Sequence, residues 1–263
     1  MGLAAVGLLY LIALLAPVLA PYDPAAQLDL VAGRLLPASL AHPLGTDALS
    51  RDLLSRLLFG ARLSLSIAAL AVVVAVTVGT AVGLAAGLAG GVVDAALMRS
   101  VDAALAIPRV FLLIVILALW EHGGIAALVL VLGLTGWFGT SRLVRAEVQS
   151  LKQRDFVLAA RALGLPAWRI ALRHILPNAT APIIVSATLG VGNTILIEAA
   201  LSFLGIGVRP PMPSWGNMIA DGQAFLATAP WQAIVPGAAV VLTVMTFSVL
   251  GEALREAIDP RTR

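Results

Sequence analysis

"SLSIAALAVVVAVTVGTAVGLAAGLAG" (residues 64–90) runs without a single charged side chain. About 20 mostly apolar residues are what an α-helix needs to cross the hydrocarbon of a bilayer. Within the stretch Gly79, Gly83 and Gly87 recur every four residues, and Gly91 follows just outside it. Glycines at that spacing form a groove along one side of a helix, where a second backbone can approach closely. The spacing alone does not say whether that neighbour belongs to the same chain.

The rest of the chain agrees with a lipid solvent. Of its 263 residues 60% are hydrophobic and only 12% charged, and the mean hydropathy is +1.00. A soluble domain carries about a quarter charged residues, and this composition folded in water would expose large apolar patches. Further spans are expected at 3–21, 103–120, 124–140, 181–208 and 233–251. Backbone in lipid must satisfy its own hydrogen bonds, so the spans are helices. The first lacks the basic flank of a secretory signal and is expected to be a retained helix. The third begins beside Arg109, and 91–108 reads as an amphipathic lead-in to it. The fold expected is an all-α polytopic membrane protein with six transmembrane helices.

An even number of spans puts both termini on one face, and Arg and Lys decide which. One face holds twelve: Arg99, Arg109, Arg142, Arg145, Lys152, Arg154, Arg161, Arg169, Arg173, Arg255, Arg261 and Arg263. The other holds five: Arg34, Arg51, Arg56, Arg62 and Arg209. The first face, with both termini, is therefore expected to be cytoplasmic. The arginines are dispersed and aromatics are 5%, so no nucleic-acid partner is expected. There is no cysteine, and the histidines His42, His122 and His174 are scattered, so neither a metal site nor a catalytic residue is expected.

One polar stretch interrupts the apolar chain: "DFVLAARALGLPAWRIALRHILPN" (155–178). Residues 144–163 read as a helix continuing out of the membrane, with Arg161 and Val157 on one face. Gly164 supplies the left-handed residue that ends a helix cheaply. Pro166 falls in the first turn of a second helix, which carries Arg169 and Arg173 on one face and runs to Pro177. Ala159, Ala160 and Ala162 offer a small, smooth surface at the bend. Small residues flanked by arginines suit insertion into a groove of another protein.

The spacing of Ala159-Ala160, Gly164 and Leu176-Pro177 resembles the EAA loop of permease subunits of binding-protein-dependent ABC importers. The family pattern is Glu-Ala-Ala, three residues, Gly, nine residues, Ile, one residue, Leu-Pro. This chain has Leu158 in place of the glutamate, His174 in place of the isoleucine, and Pro166 where many relatives have serine. Other stretches resemble the peptide/nickel-type branch, in particular its C-type permeases: 42–65, 90–108, 198–222 and 230–261.

The resemblance implies a type I importer permease fold with a cytoplasmic coupling helix. It implies an N-terminal helix and external segment (1–61), a core permease domain (62–251, coupling loop 142–178) and a cytoplasmic tail (252–263). The coupling residues it points to are Asp155, Ala159, Ala160, Arg161, Leu163, Gly164, Arg169, Arg173, Leu176 and Pro177. The partners it implies are a second, non-identical permease, two cytoplasmic ABC ATPases and an extracytoplasmic substrate-binding protein, in a bacterial or archaeal cytoplasmic (inner) membrane. The cargo it implies is di- or oligopeptides, with nickel chelates or glutathione as variants. No phosphate-binding Gly-x-x-x-x-Gly-Lys-Ser/Thr loop occurs, so ATP and Mg are expected on the partner ATPases, with no cofactor on this chain and no enzyme activity of its own. A stand-alone secondary transporter would instead show inverted repeats and coupling-ion residues near mid-membrane.

Three polar features remain. Glu198 is the only acid in the 181–208 span; a buried ionised group there faces a cavity or a partner, so it reads either as a lining of the path or outer gate, or as an inter-helix hydrogen bond. Pro211, Ser214, Trp215 and Gly216 lie in a rigid external loop expected to face the binding protein. Asp47/Arg51 and Asp52/Arg56 are each four apart and read as a solvated interfacial helix, as do Glu252, Arg255, Glu256 and Asp259 at the other end.

Overall fold

A computed structural model describes residues 2–27, 29–120 and 123–258. His122, Arg261, Arg263 and the last part of the expected tail (259–263) lie outside the described residues. Among the described residues there is no β-strand, and the elements in order are α1 (Gly2–Leu14), α2 (Ala16–Leu19), α3 (Leu53–Ala89), α4 (Gly91–Leu105), α5 (Arg109–Leu119), α6 (Gly124–Leu151), α7 (Asp155–Ala162), α8 (Ala167–Ile170), a π-turn (Ala171–Ile175), α9 (Leu176–Phe203), α10 (Trp215–Gln223) and α11 (Trp231–Ile258). The all-α expectation holds.

Four helical runs are long and apolar enough to cross a membrane: Leu53–Ala89, Gly124–Leu151, Ala167–Phe203 and Trp231–Ile258. α4 and α5 qualify only as a pair bent by 82°. The bend falls at Pro108, whose ring bars the preceding residue from helical backbone. α1, at 13 residues, is shorter than a full span. These two places are those of the expected third and first spans.

The chain divides into two compact units. In the unit formed by 70–113, 130–190 and 251–263, the glycine groove on α3 packs against α6. A Cβ added to Gly79 would lie 2.7 Å from Thr140 Cβ, one at Gly83 2.8 Å from Val144 Cβ, and one at Gly87 2.7 Å from Val148 Cβ. The neighbour left open by the sequence is thus the same chain, and its residues recur at the same interval of four. The groove is reciprocal, since a Cβ at Gly133 of α6 would lie 2.6 Å from Val74 Cβ. Gly91 stands outside the groove: with Gly90 it turns the chain from α3 into α4, at φ of +65° and +55°, values that glycine adopts without steric cost. α4 is then tied to α6 by Arg145, which donates to Asp94 at 2.7 Å, and by an Arg142–Asp102 pair.

In the unit formed by 1–69, 114–129 and 191–250, the expected solvated helix at 47–56 does not form. Residues 47–50 are turn and α3 starts at Leu53. Asp47, Arg51, Asp52 and Arg56 are all buried. The Arg51 Nε donates to Asp47 at 2.6 Å, Arg56 stands 3.4 Å from the same carboxylate, and both guanidiniums reach Asp221 of α10, at 3.3 and 3.2 Å. Asp52 accepts from the Ser55 hydroxyl and lies 2.9 Å from His42 Nδ1. The i,i+4 spacing is kept for Asp47–Arg51, but in a buried turn. Two arginines facing two aspartates compensate one another, and a buried charge survives only with such pairing.

The groove predicts that Gly83→Ile destabilises the protein by about 1–3 kcal/mol through overpacking. Gly139→Ala, at a helical position with open space beside it, should be neutral or stabilising by up to about 1 kcal/mol. Thermal unfolding in detergent should rank the two that way; equal midpoints would refute the close approach.

Candidate functional site

The polar stretch 155–178 is a folded element on an apolar footing. α6 stops at Leu151, and residues 152–154 form a turn before α7 begins, so the helix expected at 144–163 is broken rather than continuous. The break is anchored: Lys152 Nζ donates to the Gly87 and Leu88 carbonyls at 2.9 and 3.0 Å. Those carbonyls belong to the last turn of α3, where the helix leaves acceptors unfilled and a cation is favoured. Asp155 opens α7, and Arg161 lies in its last turn, the arrangement the helix dipole favours.

At the end of α7, Gly164 takes φ +76°. The Leu165 N–H donates to the Ala160 carbonyl and the Gly164 N–H to the Arg161 carbonyl. This is the paired helix-end pattern that a left-handed glycine permits. Pro166 sits just before α8, one residue ahead of its expected place, with extended backbone. α8 passes through the π-turn directly into α9, so Pro177 does not end the helix as expected. It stands at the second position of α9, in a first turn, where a missing N–H costs little.

Burial splits the stretch into two faces. Val157, Ala160, Ile170, Ile175 and Ala179 are buried with Val144 and Val148 of α6, against Val76, Leu84 and Leu88 of α3. Ala160 therefore belongs to the footing and not to the smooth outer surface, which Ala159 and Ala162 keep. Val157 and Arg161 do not share an environment either: Val157 is buried and Arg161 exposed. On the outer face stand Asp155, Ala159, Arg161, Leu163, Arg169 and Arg173; Leu176 is half-buried and Pro177 exposed. Sequence reading missed the apolar part of this face. Phe156, Leu158, Leu163, Trp168 and Leu172 are all exposed, Leu163 by 80%. Arg169 lies over the Trp168 ring at 5.3 Å. The available signal was phase: these residues fall out of step with the buried set Val157, Ala160, Ile170 and Ile175.

Two other expectations meet the structure in the first unit. Glu198 is fully buried. It accepts from Ser64 Oγ at 2.8 Å and from Ser202 Oγ at 2.7 Å, with the Ser214 hydroxyl also in reach. The geometry joins α3, α9 and the start of α10. In the external loop Pro211 is exposed, but Ser214, Trp215 and Gly216 are buried and do not face outward as expected. Ser214 caps α10 in a reciprocal capping box with Asn217, a use its position before a helix invites. The Trp215 Nε1 donates to the Leu57 carbonyl at 3.2 Å. A Cβ on Gly216 would lie 2.7 Å from Ala199 Cα. The outward face of this loop is Arg209, Pro210, Pro211 and Met212.

Comparison with known proteins identifies the framework that carries this element. Residues 79–263 match the binding-protein-dependent transport system inner membrane component family. The chain belongs to that family. Residues 1–38 match the N-terminal transmembrane domain of oligopeptide transport permease C. The dipeptide transport system permease protein DppC of Escherichia coli (strain K12) is 46% identical, over 99% of this chain and 89% of the relative. The protein of the same name from Alkalihalophilus pseudofirmus is 40% identical, over 100% of this chain and 85% of the relative. The chain is thus a multi-pass membrane permease component.

The two faces of 155–178 respond differently to truncation. Ile175→Ala should cost about 2–5 kcal/mol and raise amide hydrogen exchange across 155–178. Trp168→Ala, on the outer face, should change stability by no more than about 0.5 kcal/mol. Equal effects in exchange and melting experiments would contradict the division.

Proposed function

We propose that the chain is one of two non-identical permease subunits of an ATP-driven, binding-protein-dependent importer of di- and oligopeptides. The cargo is suggested by relatives named as dipeptide permeases, two of them aligned over nearly the whole of this chain. The chain provides half of the translocation path in a cytoplasmic membrane, with both termini and the 155–178 element on the cytoplasmic side, as its arginines favour. Residues 62–251 are the permease core, 1–61 an N-terminal addition and 252–263 a tail. The separate family matches at 1–38 and 79–263 support that division.

The observation that carries the coupling role is the outer face of 155–178. It combines exposed apolar side chains, small alanines and arginines on a footing that is buried and tied to α3. An exposed apolar patch of this kind marks a protein contact. The groove that receives it belongs to a cytoplasmic ABC ATPase, where ATP and Mg are bound and hydrolysed; this chain makes and breaks no covalent bond. Asp155, Ala159, Arg161, Leu163, Arg169 and Arg173 form the contact, and Gly164, Leu176, Pro177 and Ala160 hold its shape. Gly79, Gly83 and Gly87 keep the footing close-packed. Glu198 braces the helices beneath the outer loop, and Pro211 with its neighbours offers the surface for the extracytoplasmic binding protein.

Ala159→Glu combined with Leu163→Glu should leave membrane insertion and the melting temperature unchanged, because both positions are exposed. Co-purification of the ATPase and ATP-dependent uptake should fall at least about tenfold, the effect of losing a desolvated contact of over 1.4 kcal/mol. Full retention of both by the double variant would refute the docking assignment.

A further inference from the structure

In the second unit a groove of about 680 Å³ opens among α6, α9 and α11, and Glu147, Asn178, Pro182, Ser186 and Arg255 line it. Glu147, on α6, is half-buried and Arg255, on α11, is exposed. Among the described residues neither has an ion-pair or hydrogen-bond partner. Most acids and arginines packed against these helices are paired, Asp94 with Arg145 and Asp102 with Arg142 among them, so this opposite pair is set apart. A partly buried carboxylate without a partner is costly, and a cationic ligand relieves that cost.

A backbone acceptor stands beside it. Pro182 has no N–H, so the Asn178 carbonyl, four residues earlier in α9, lacks its helical donor. The groove therefore presents an anion and a free carbonyl acceptor from α6 and α9, and a guanidinium from α11. Between them Leu143, Val185 and Leu189 supply apolar wall. An ammonium fits the first set and a carboxylate fits the arginine. A volume of this size is that of a small-molecule site.

We infer that this groove holds a short zwitterionic peptide, its ammonium against Glu147 and the Asn178 carbonyl and its carboxylate against Arg255. The walls read the backbone termini common to all such peptides and leave the side chains to apolar surface. The inference rests on the proposed peptide cargo and locates a site for it within this chain.

The absence of cysteine from the sequence supplies the test. In the intact complex, with partner permease, ATPases and binding protein, Ser186→Cys gives this chain a single maleimide target inside the groove. Dialanine should slow its labelling, and N-acetyl-dialanine amide, with both termini blocked, should not. Adding Glu147→Gln or Arg255→Gln should raise the dialanine concentration for half-protection about tenfold, the loss of one charge-assisted hydrogen bond, and Arg255→Lys should restore most of it. Absence of protection by dialanine, equal protection by the blocked peptide, or a site that the assembled partner covers would each overturn the groove assignment. Uptake of radiolabelled dialanine by the same preparation separates the two readings. Uptake without protection overturns the groove alone, whereas absence of uptake retires the peptide cargo as well.

Discussion

The close approach of α3 to α6 is the constraint from which the coupling element is built. Three glycines on α3 let Thr140, Val144 and Val148 come within contact of its backbone. Val144 and Val148 are also part of the core on which Val157, Ala160, Ile170 and Ile175 rest. The last turn of α3 in turn supplies the carbonyls that hold Lys152. A helix pair a few tenths of an ångström further apart would loosen both the apolar and the polar anchors of the same short element. In lipid, where apolar burial does not drive helices together, such backbone proximity and its dispersion contacts take over that task.

A chain with so few charges places them where they fasten. In the first unit Asp47, Arg51, Arg56 and Asp221 close on one another, and Glu198 draws hydroxyls from α3 and α9. In the second unit Asp94 and Asp102 of α4 meet arginines of α6. Away from bulk water each such pair is specific in geometry and costly to break, since removing one partner strands the other. The polar residues of the apolar helices are accordingly joints within the fold, and the arginines of 155–178 differ from them by standing exposed.

What could be read from sequence follows from locality. The charge-free run at 64–90, the interval of four among its glycines and the left-handed role of Gly164 are properties of neighbouring residues, and each reappears in the structure. Asp47 and Arg51 misled because a spacing of four was taken as evidence of helix, while their burial depends on Asp221, 170 residues beyond Arg51. Ser214, Trp215 and Gly216 misled for the same reason: a polar, proline-rich neighbourhood suggested a surface, yet Leu57 and Ala199 cover them. The exposed Phe156, Trp168 and Leu172 escaped notice because attention to charge in a greasy chain hides apolar residues that point outward.

The two ends of the 155–178 element are attached in unlike ways. At Leu151 the helix stops and a turn intervenes, whereas from Ala167 through the π-turn to Phe203 the helix is continuous over 37 residues. At 1.5 Å per residue that is a rod of about 55 Å. The element is mechanically a cantilever, clamped into α9 and pinned at α6. A load applied at Trp168 passes along α9 as axial thrust and twist, with no flexible joint to dissipate it, while the turn at 152–154 takes up the change in angle.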